Sequence, residues 1–394
     1  MGGLANGAAL KQSFPFGAQG KDGLQVLWVD GERVFHRGCR ENSDGGYGSV
    51  LVVLPAAERA LPATLERLAH EYALRDELDA AWAARPLALV REGGRTALLL
   101  EDPGGEPLER LIGAPMEAGR FLRLAIGIAA ALGKAHQRGL VHKDVKPANI
   151  LVNCADGQTR LAGFGIASRL PRERQAPEPP EFIAGTLAYM APEQTGRMNR
   201  SIDSRSDLYA LGVTFYQMLT GRLPFSAADP MEWVHCHIAR KAIAPAERLQ
   251  SVPAVLSEIV MKLLAKTAEE RYQTAAGIEH DLRRSLAAWE RHARIEPFAL
   301  GENDSPDRLM ILEKLYGRER EVETLLAAFD RVVESGAPEL VLVSGYSGIG
   351  KSSVVNELHK PLVPPRGLFA LGKFDQYKRD IPYSTLVQDR KSVV

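Results

Sequence analysis

The chain has 394 residues, room for two or three domains of about 150 residues, and its 45% apolar and 25% charged content is that of a folded globular protein. Lys plus Arg and Asp plus Glu each number 49, so the formal net charge is zero and no bulk positive charge points to nucleic acid. The three cysteines, Cys39, Cys154 and Cys236, are scattered and odd in number, which argues against a disulfide scaffold and fits a reducing compartment.

Residues 1–23 are Gly- and Ala-rich and read as a loose leader. They lack the apolar core of a signal peptide, and Asn6 stands where a myristoylation pattern wants Ser or Thr. Short β-type runs follow from residue 24 to 101: LQVLWV, RVFHR, SVLVVL, LALV and ALLLE. One helical stretch, TLERLAHEYALRDELDAAW, interrupts them. From 102 to 288 the pattern is mostly helical. The longest apolar run, 121–133, is broken by Arg123 and falls short of the ~20 residues that span a membrane. The expected location is the cytoplasm. Residues 289–315 mix charge, Gly301 and Pro306, as a linker does. A helix over 319–334, a turn (SGAP), a strand (ELVLVS), a Gly-rich loop and a new helix then open an α/β unit at 316–388.

The most informative stretch is LVHKDVKPANILVN, residues 140–153. His142, Asp144, Lys146 and Asn149 stand at the spacing H-x-D-x-K-x-x-N. An Asp here accepts the proton of an attacking hydroxyl, a Lys offsets charge on a transferred phosphoryl group, and an Asn coordinates a metal ion. GTLAYMAPEQ (185–194), SDLYALGVTFYQMLTGRLPF (206–225) and ERYQTA (270–275) follow in order.

This order resembles the C-lobe of eukaryotic-type Ser/Thr protein kinases found in bacteria. The resemblance covers residues 24–288 and implies an α+β, two-lobed kinase-like fold with an N-lobe at 24–101. It implies ATP and Mg²⁺ as cofactors and a protein hydroxyl as acceptor. Asp144 becomes the base, Lys146 the charge-offsetting group and Asn149 a nucleotide and metal contact. His142 packs the catalytic loop, Asp207 anchors its backbone, Glu193 pairs with Arg271, and Thr186 sits in the substrate loop.

The chain departs from this pattern in the phosphate-handling parts. Gly163-Phe164-Gly165 stands where Asp-Phe-Gly is expected, and glycine has no oxygen for Mg²⁺. Only Gly31 remains of the glycine loop. GGYG (45–48) reads as the turn between the next two strands, which puts Val53 at the lysine position and leaves Glu71 without its partner. Arg33 and Lys143 are the other basic residues that could reach phosphates. No Ser, Thr or Tyr lies between Ser168 and Thr186, so a phosphorylation switch has no hydroxyl there. These departures raise an alternative function: an impaired kinase-fold module that binds a signalling partner and gates the next domain.

That next domain carries SGYSGIGKSS (344–353), with Gly345, Gly348, Gly350, Lys351 and Ser352 in a P-loop. Its backbone N–H groups cradle phosphates, Lys351 reaches the β/γ oxygens, and Ser352 holds Mg²⁺. The surrounding sequence resembles AAA- or STAND-type ATPases. Kinase-like domain followed by ATPase resembles the N-terminal part of large bacterial kinase–ATPase–sensor histidine kinase proteins, of which the chain is read as a fragment. DRKSVV (389–394) can be written in codons that spell a common sequencing adapter, and is set apart as a non-native tail. His235-Cys236-His237 is discounted as a metal site, because i and i+2 on a helix point apart. Cys39 and Cys154 read as small core residues.

Overall fold

The computed structural model describes residues 25–41, 47–92, 94–169, 185–197, 200–305, 317–346 and 349–356. The leader at 1–23, Gly348 of the P-loop, most of the segment between Ser168 and Thr186, and the 389–394 tail lie outside them.

All five expected strands form: β1 (Gln25–Asp30), β2 (Arg33–Glu41), β3 (Tyr47–Pro55), β4 (Pro86–Glu92) and β5 (Arg95–Glu101). They build one antiparallel sheet in the order β1-β2-β3-β5-β4. From Val50 to Val53 β3 is apolar because both its faces are buried. Leu51 and Val53 join one apolar cluster, while Val50 and Val52 join another on the opposite face. Tyr47 and Gly48 of GGYG belong to β3 and not to a turn, pairing with Glu41 and Arg40 of β2, while Gly45 and Gly46 lie outside the described residues. β1 and β2 are joined through Gly31 and Glu32 alone, and Gly31 takes the positive φ (52°) that such a tight turn needs at its first position.

Helix α1 (Pro62–Ala73) starts with proline in its first turn and ends nine residues earlier than the spacing predicts. Leu74, Leu78 and Trp82 keep the period of four, but successive turns carry it: the N–H groups of Glu77 and Leu78 both donate to the Leu74 carbonyl. These three side chains leave the sheet and bury themselves in the large C-terminal cluster. An apolar period of four fits a turn-rich strap docking on a second core as well as a helix.

The C-lobe is helical. α2 (Ala118–Gln137) is capped by Glu117, whose carboxylate accepts from the N–H groups of Gly119 and Arg120. A small sheet of β6 (Glu106–Pro107), β7 (Ile150–Val152) and β8 (Thr159–Leu161) flanks it. α3 (Ser204–Thr220), capped by Asp203, is buried along nearly its whole length. α4 (Pro230–Ile238), α5 (Pro245–Arg248), α6 (Ala254–Leu263) and α7 (Ala275–His292) complete the lobe, with α5 and α6 packed on α3 and α7 along α2.

The expected linker differs from what is seen. α7 runs on to His292, and residues after it strap back onto the C-lobe. Lys262 Nζ donates to the Leu300 carbonyl (2.9 Å), and Asp304 accepts from the N–H groups of Gln273 and Thr274 (2.6 and 2.9 Å). Composition alone does not separate a free linker from a strap whose backbone polar groups are satisfied by its host. Beyond it come α8 (Glu319–Ser335) and α9 (Lys351–Asn356). ELVLVS forms no strand: Leu340 and Leu342 are exposed, and among the described residues no neighbouring strand pairs with this segment. Cys39 and Cys154 are exposed, against the expectation of core positions, while Cys236 is buried. His237 is also buried, with the Tyr209 hydroxyl at 3.0 Å from its Nδ1.

One buried ion pair ties the segment after the substrate loop to the helical core. Arg271 donates to both Glu193 oxygens (2.7 and 2.9 Å), and Ser206 Oγ donates to Glu193 (2.8 Å). Burial alone would raise the Glu193 pKa, but Arg271 more than offsets it and holds the carboxylate ionised. Removing one partner leaves the other charge buried and alone. Arg271→Met should therefore cost about 3–5 kcal/mol in urea unfolding, far more than removal of the exposed pair Arg284–Glu302.

Candidate active site

The 140–153 segment enters the site through an unusual backbone. Lys143 is one of two non-glycine residues with positive φ (66°) among the described residues. Asp207, in the first turn of α3, holds this conformation. Its carboxylate accepts from the backbone N–H of His142 (2.8 Å) and of Lys143 (2.7 Å), and His136 Nε2 lies 2.9 Å away. Gln194 closes the other side by donating to the Lys143 carbonyl (2.8 Å). His142 is fully buried against Phe164; its Nδ1 accepts from the Asp144 N–H (3.2 Å), and its Nε2 lies 3.0 Å from the Ala162 carbonyl. It therefore packs the loop and does not face the cleft.

Asp144 and Lys146 then point into a cleft of about 570 Å³ between the lobes. Lys146 Nζ lies 3.2 Å from Asp144 Oδ2 and donates to Thr186 Oγ1 (2.7 Å). The Thr186 hydroxyl in turn donates to Asp144 Oδ1 (3.0 Å). Asn149 steadies Asp144 from below, its Nδ2 donating to the Asp144 carbonyl (2.8 Å) and to Oδ2 (3.0 Å). The site thus brings together Asp144, Lys146, Asn149 and Thr186, with His142 and Asp207 behind them.

Two acidic residues and one cation come from the β1–β2 turn. Asp30, the last residue of β1, accepts from Lys146 Nζ (2.6 Å) and pairs with Arg33. Burial raises the Asp30 pKa, but the flanking Arg33 and Lys146 charges bring it below the usual carboxylate range. Glu32 accepts from Thr64 and from Arg67. Arg33 opens β2 and lies buried, its guanidinium 3.8 Å from Glu71 Oε2 and 3.4 Å from Asn149 Oδ1.

Glu71 is therefore not left without a partner. Arg33 reaches it from β2, while Val53 on β3 faces the apolar cluster shared with Phe35, Leu98 and, from the other lobe, Ala148 and Leu151. Glu71 Oε1 also accepts from the Gly163 N–H (3.1 Å). Of the two basic residues weighed from sequence, Arg33 lines the cleft and Lys143 does not.

The metal expectation at Asn149 does not fit. Its amide N–H groups are spent on Asp144, so its oxygen is turned toward the Arg33 guanidinium. Gly163 supplies no side-chain oxygen. It keeps a positive φ (81°), and a Cβ there would stand 2.5 Å from Asn149 Oδ1. At the P-loop, Lys351 opens α9 and its Nζ donates to the carbonyls of Gly345 and Tyr346 (both 2.8 Å), while Ser352 is exposed.

A family model for the protein kinase domain matches residues 56–282. The chain belongs to the protein kinase family. The match begins after β3, so the three strands that the sequence reading aligns with the glycine loop and the lysine lie outside it. A model for an AAA ATPase domain matches residues 314–393. The chain is 29% identical to hybrid signal transduction histidine kinase G of Dictyostelium discoideum, over 71% of this chain and 11% of that protein. It is 35% identical to serine/threonine-protein kinase Pkn1 of Myxococcus xanthus (56% of this chain, 31% of that one). It is 37% identical to serine/threonine-protein kinase PknB of Mycobacterium tuberculosis (43% of this chain, 26% of that one). The chain thus spans less than a third of each of these relatives. Kinase and AAA ATPase domains together imply ATP use. Among the described residues, no helix is long and apolar enough to cross a membrane.

Restoring the missing carboxylate should harm the site. Gly163→Asp forces Asn149 to move and so disturbs its bonds to Asp144. We expect a loss of about 1–3 kcal/mol in chemical unfolding and no gain in Mg²⁺-dependent nucleotide binding. A stable variant with new Mg²⁺ dependence would show that Asn149 yields.

Proposed function

We propose that this chain is a serine/threonine protein kinase-type signalling protein that transfers a phosphoryl group from ATP to a protein hydroxyl and carries a fused ATP-binding P-loop domain. The observation that supports it most is the triangle of Asp144, Lys146 and Thr186. The substrate hydroxyl gives its proton to Asp144 as its oxygen attacks the terminal phosphorus. The bond from that phosphorus to the bridging oxygen breaks, and ADP leaves. Lys146 offsets the charge on the transferred group, and Thr186 keeps acid and base at hydrogen-bond distance from each other. Lys146 in this position is the Ser/Thr-type arrangement. No step is assigned to Mg²⁺, since the oxygens around Asn149 and Gly163 do not suit it. The domain order, a kinase domain followed by an AAA ATPase domain, supports a role in signal transduction.

The partner-binding alternative draws on Gly163 and Val53, and one assay separates the two. The 394-residue chain is incubated with radiolabelled ATP and a mixed protein substrate, with and without Asp144→Asn. Transfer should fall by about 100-fold or more in the variant, the range of a lost general base. Transfer that survives Asp144→Asn would reject the assigned chemistry. No transfer from either form would leave the partner-binding module. Lys351→Ala should leave this transfer unchanged, because the P-loop belongs to the other domain; a parallel loss would mean that the two are coupled.

A further inference from the structure

The cleft has lost the lysine of β3 and the carboxylate beside Phe164, yet it is not poor in positive charge. Arg33 and Lys146 both line it, and the carboxylate of Asp30 lies between them. Arg33 is fixed from three sides: Glu71 of α1, Asn149 of the catalytic loop, and the face of Phe35 at 5.3 Å. A guanidinium fixed in this way is preorganised for a bidentate anion. The pairing Arg33–Glu71 also links the sheet to α1, as a β3 lysine would, but from the neighbouring strand.

Asp30 shows what such an anion looks like when bound. Its carboxylate touches Arg33 and Lys146, and Lys146 Nζ is itself 3.2 Å from Asp144. It comes from the end of β1, next to a two-residue turn whose Gly31 carries no side chain and has open space around it. Rotation of the Asp30 side chain away from the cleft would free both cations at once, without breaking the Arg33–Glu71 contact or the bonds that hold Glu32 to Thr64 and Arg67.

We propose that Arg33 is the phosphate-binding cation of this site, in place of both the absent lysine and the metal, and that Asp30 is an intramolecular placeholder that nucleotide phosphate displaces. This rests on the phosphoryl-transfer reading above. A triphosphate entering the cleft takes the hydrogen bonds that Arg33 and Lys146 give to Asp30, and the Asp30 side chain swings out of the cleft. Binding therefore has two signatures that a merely structural Arg33 would not produce: indifference to divalent metal, and improvement when Asp30 loses its charge.

The test is calorimetric titration of ATP into the 394-residue chain carrying Lys351→Ala, which removes the P-loop lysine from the signal. It is done once in magnesium chloride and once in EDTA. Asp30→Asn should tighten binding about 3- to 10-fold, Arg33→Gln should weaken it about 10-fold or more, and Arg33→Lys should recover only part of the loss, because lysine keeps the charge but not the bidentate fork. The parent should bind within about 2-fold in the two buffers, as expected where no metal bridges the phosphates. If Arg33→Gln does not fold, Asp30→Asn and Arg33→Lys decide. Binding that requires magnesium, or that Asp30→Asn leaves unchanged or weakens, overturns the proposal while the phosphoryl-transfer reading stands. If neither the parent nor Asp30→Asn binds ATP in either buffer, both fall together.

Discussion

A single buried carboxylate holds the site in shape. Asp207 accepts the N–H groups of His142 and Lys143 and so keeps Lys143 left-handed, a conformation that costs an ordinary residue about 1–2 kcal/mol. Without that turn Asp144 would not leave the chain toward the cleft. Asp207 sits in the first turn of α3, itself buried and capped by Asp203, so the cost of one strained residue is borne by the most deeply packed helix of the C-lobe. The Glu193–Arg271 pair fixes the neighbouring segment to the same helix through Ser206. Asp144 and Thr186 can meet only because both supports share α3.

Charge in the cleft is arranged around substitutions. A kinase normally sets lysine and metal against the phosphates. Here the lysine position is apolar Val53 and the metal position is Gly163, yet Glu71 still has a cation and Asn149 still has a positive neighbour, both supplied by Arg33. One guanidinium at the head of β2 thus touches the partners that two separate groups would serve. Asp30 balances it in the absence of an anion, which leaves no unpaired buried charge among these residues.

Apolar packing explains why Val53 suits its position and why the cation comes from β2 instead. Val53, Leu51 and Phe35 build a cluster that crosses to Ala148, Leu151 and Ala162 of the other lobe. Trp28 stacks on Phe35 at 4.0 Å. An amine at position 53 would have to enter this cluster, whereas Arg33 at the sheet's edge reaches Glu71 from outside it and lays its guanidinium over the Phe35 ring. The hairpin, the cluster and the ion pair form one unit.

Local chemistry was legible from residues alone. The spacing of His142, Asp144, Lys146 and Asn149 describes a single loop whose members lie within a few residues of each other, so chain geometry already limits where they point. The five strands were equally plain, because alternation and β-branched runs are short-range signals. The end of α1, the strap after α7 and the missing pairing of ELVLVS were not, since each depends on what the segment docks against. Arg33 marks the boundary most clearly. Its sequence neighbours say only that it follows a tight turn; its partners Glu71 and Asn149 stand 38 and 116 positions away. The sequence determined that a lysine and a carboxylate were absent. Only the folded sheet decided which residue takes their place, because register between β1 and β2 is what carries Arg33 and Asp30 into the cleft together.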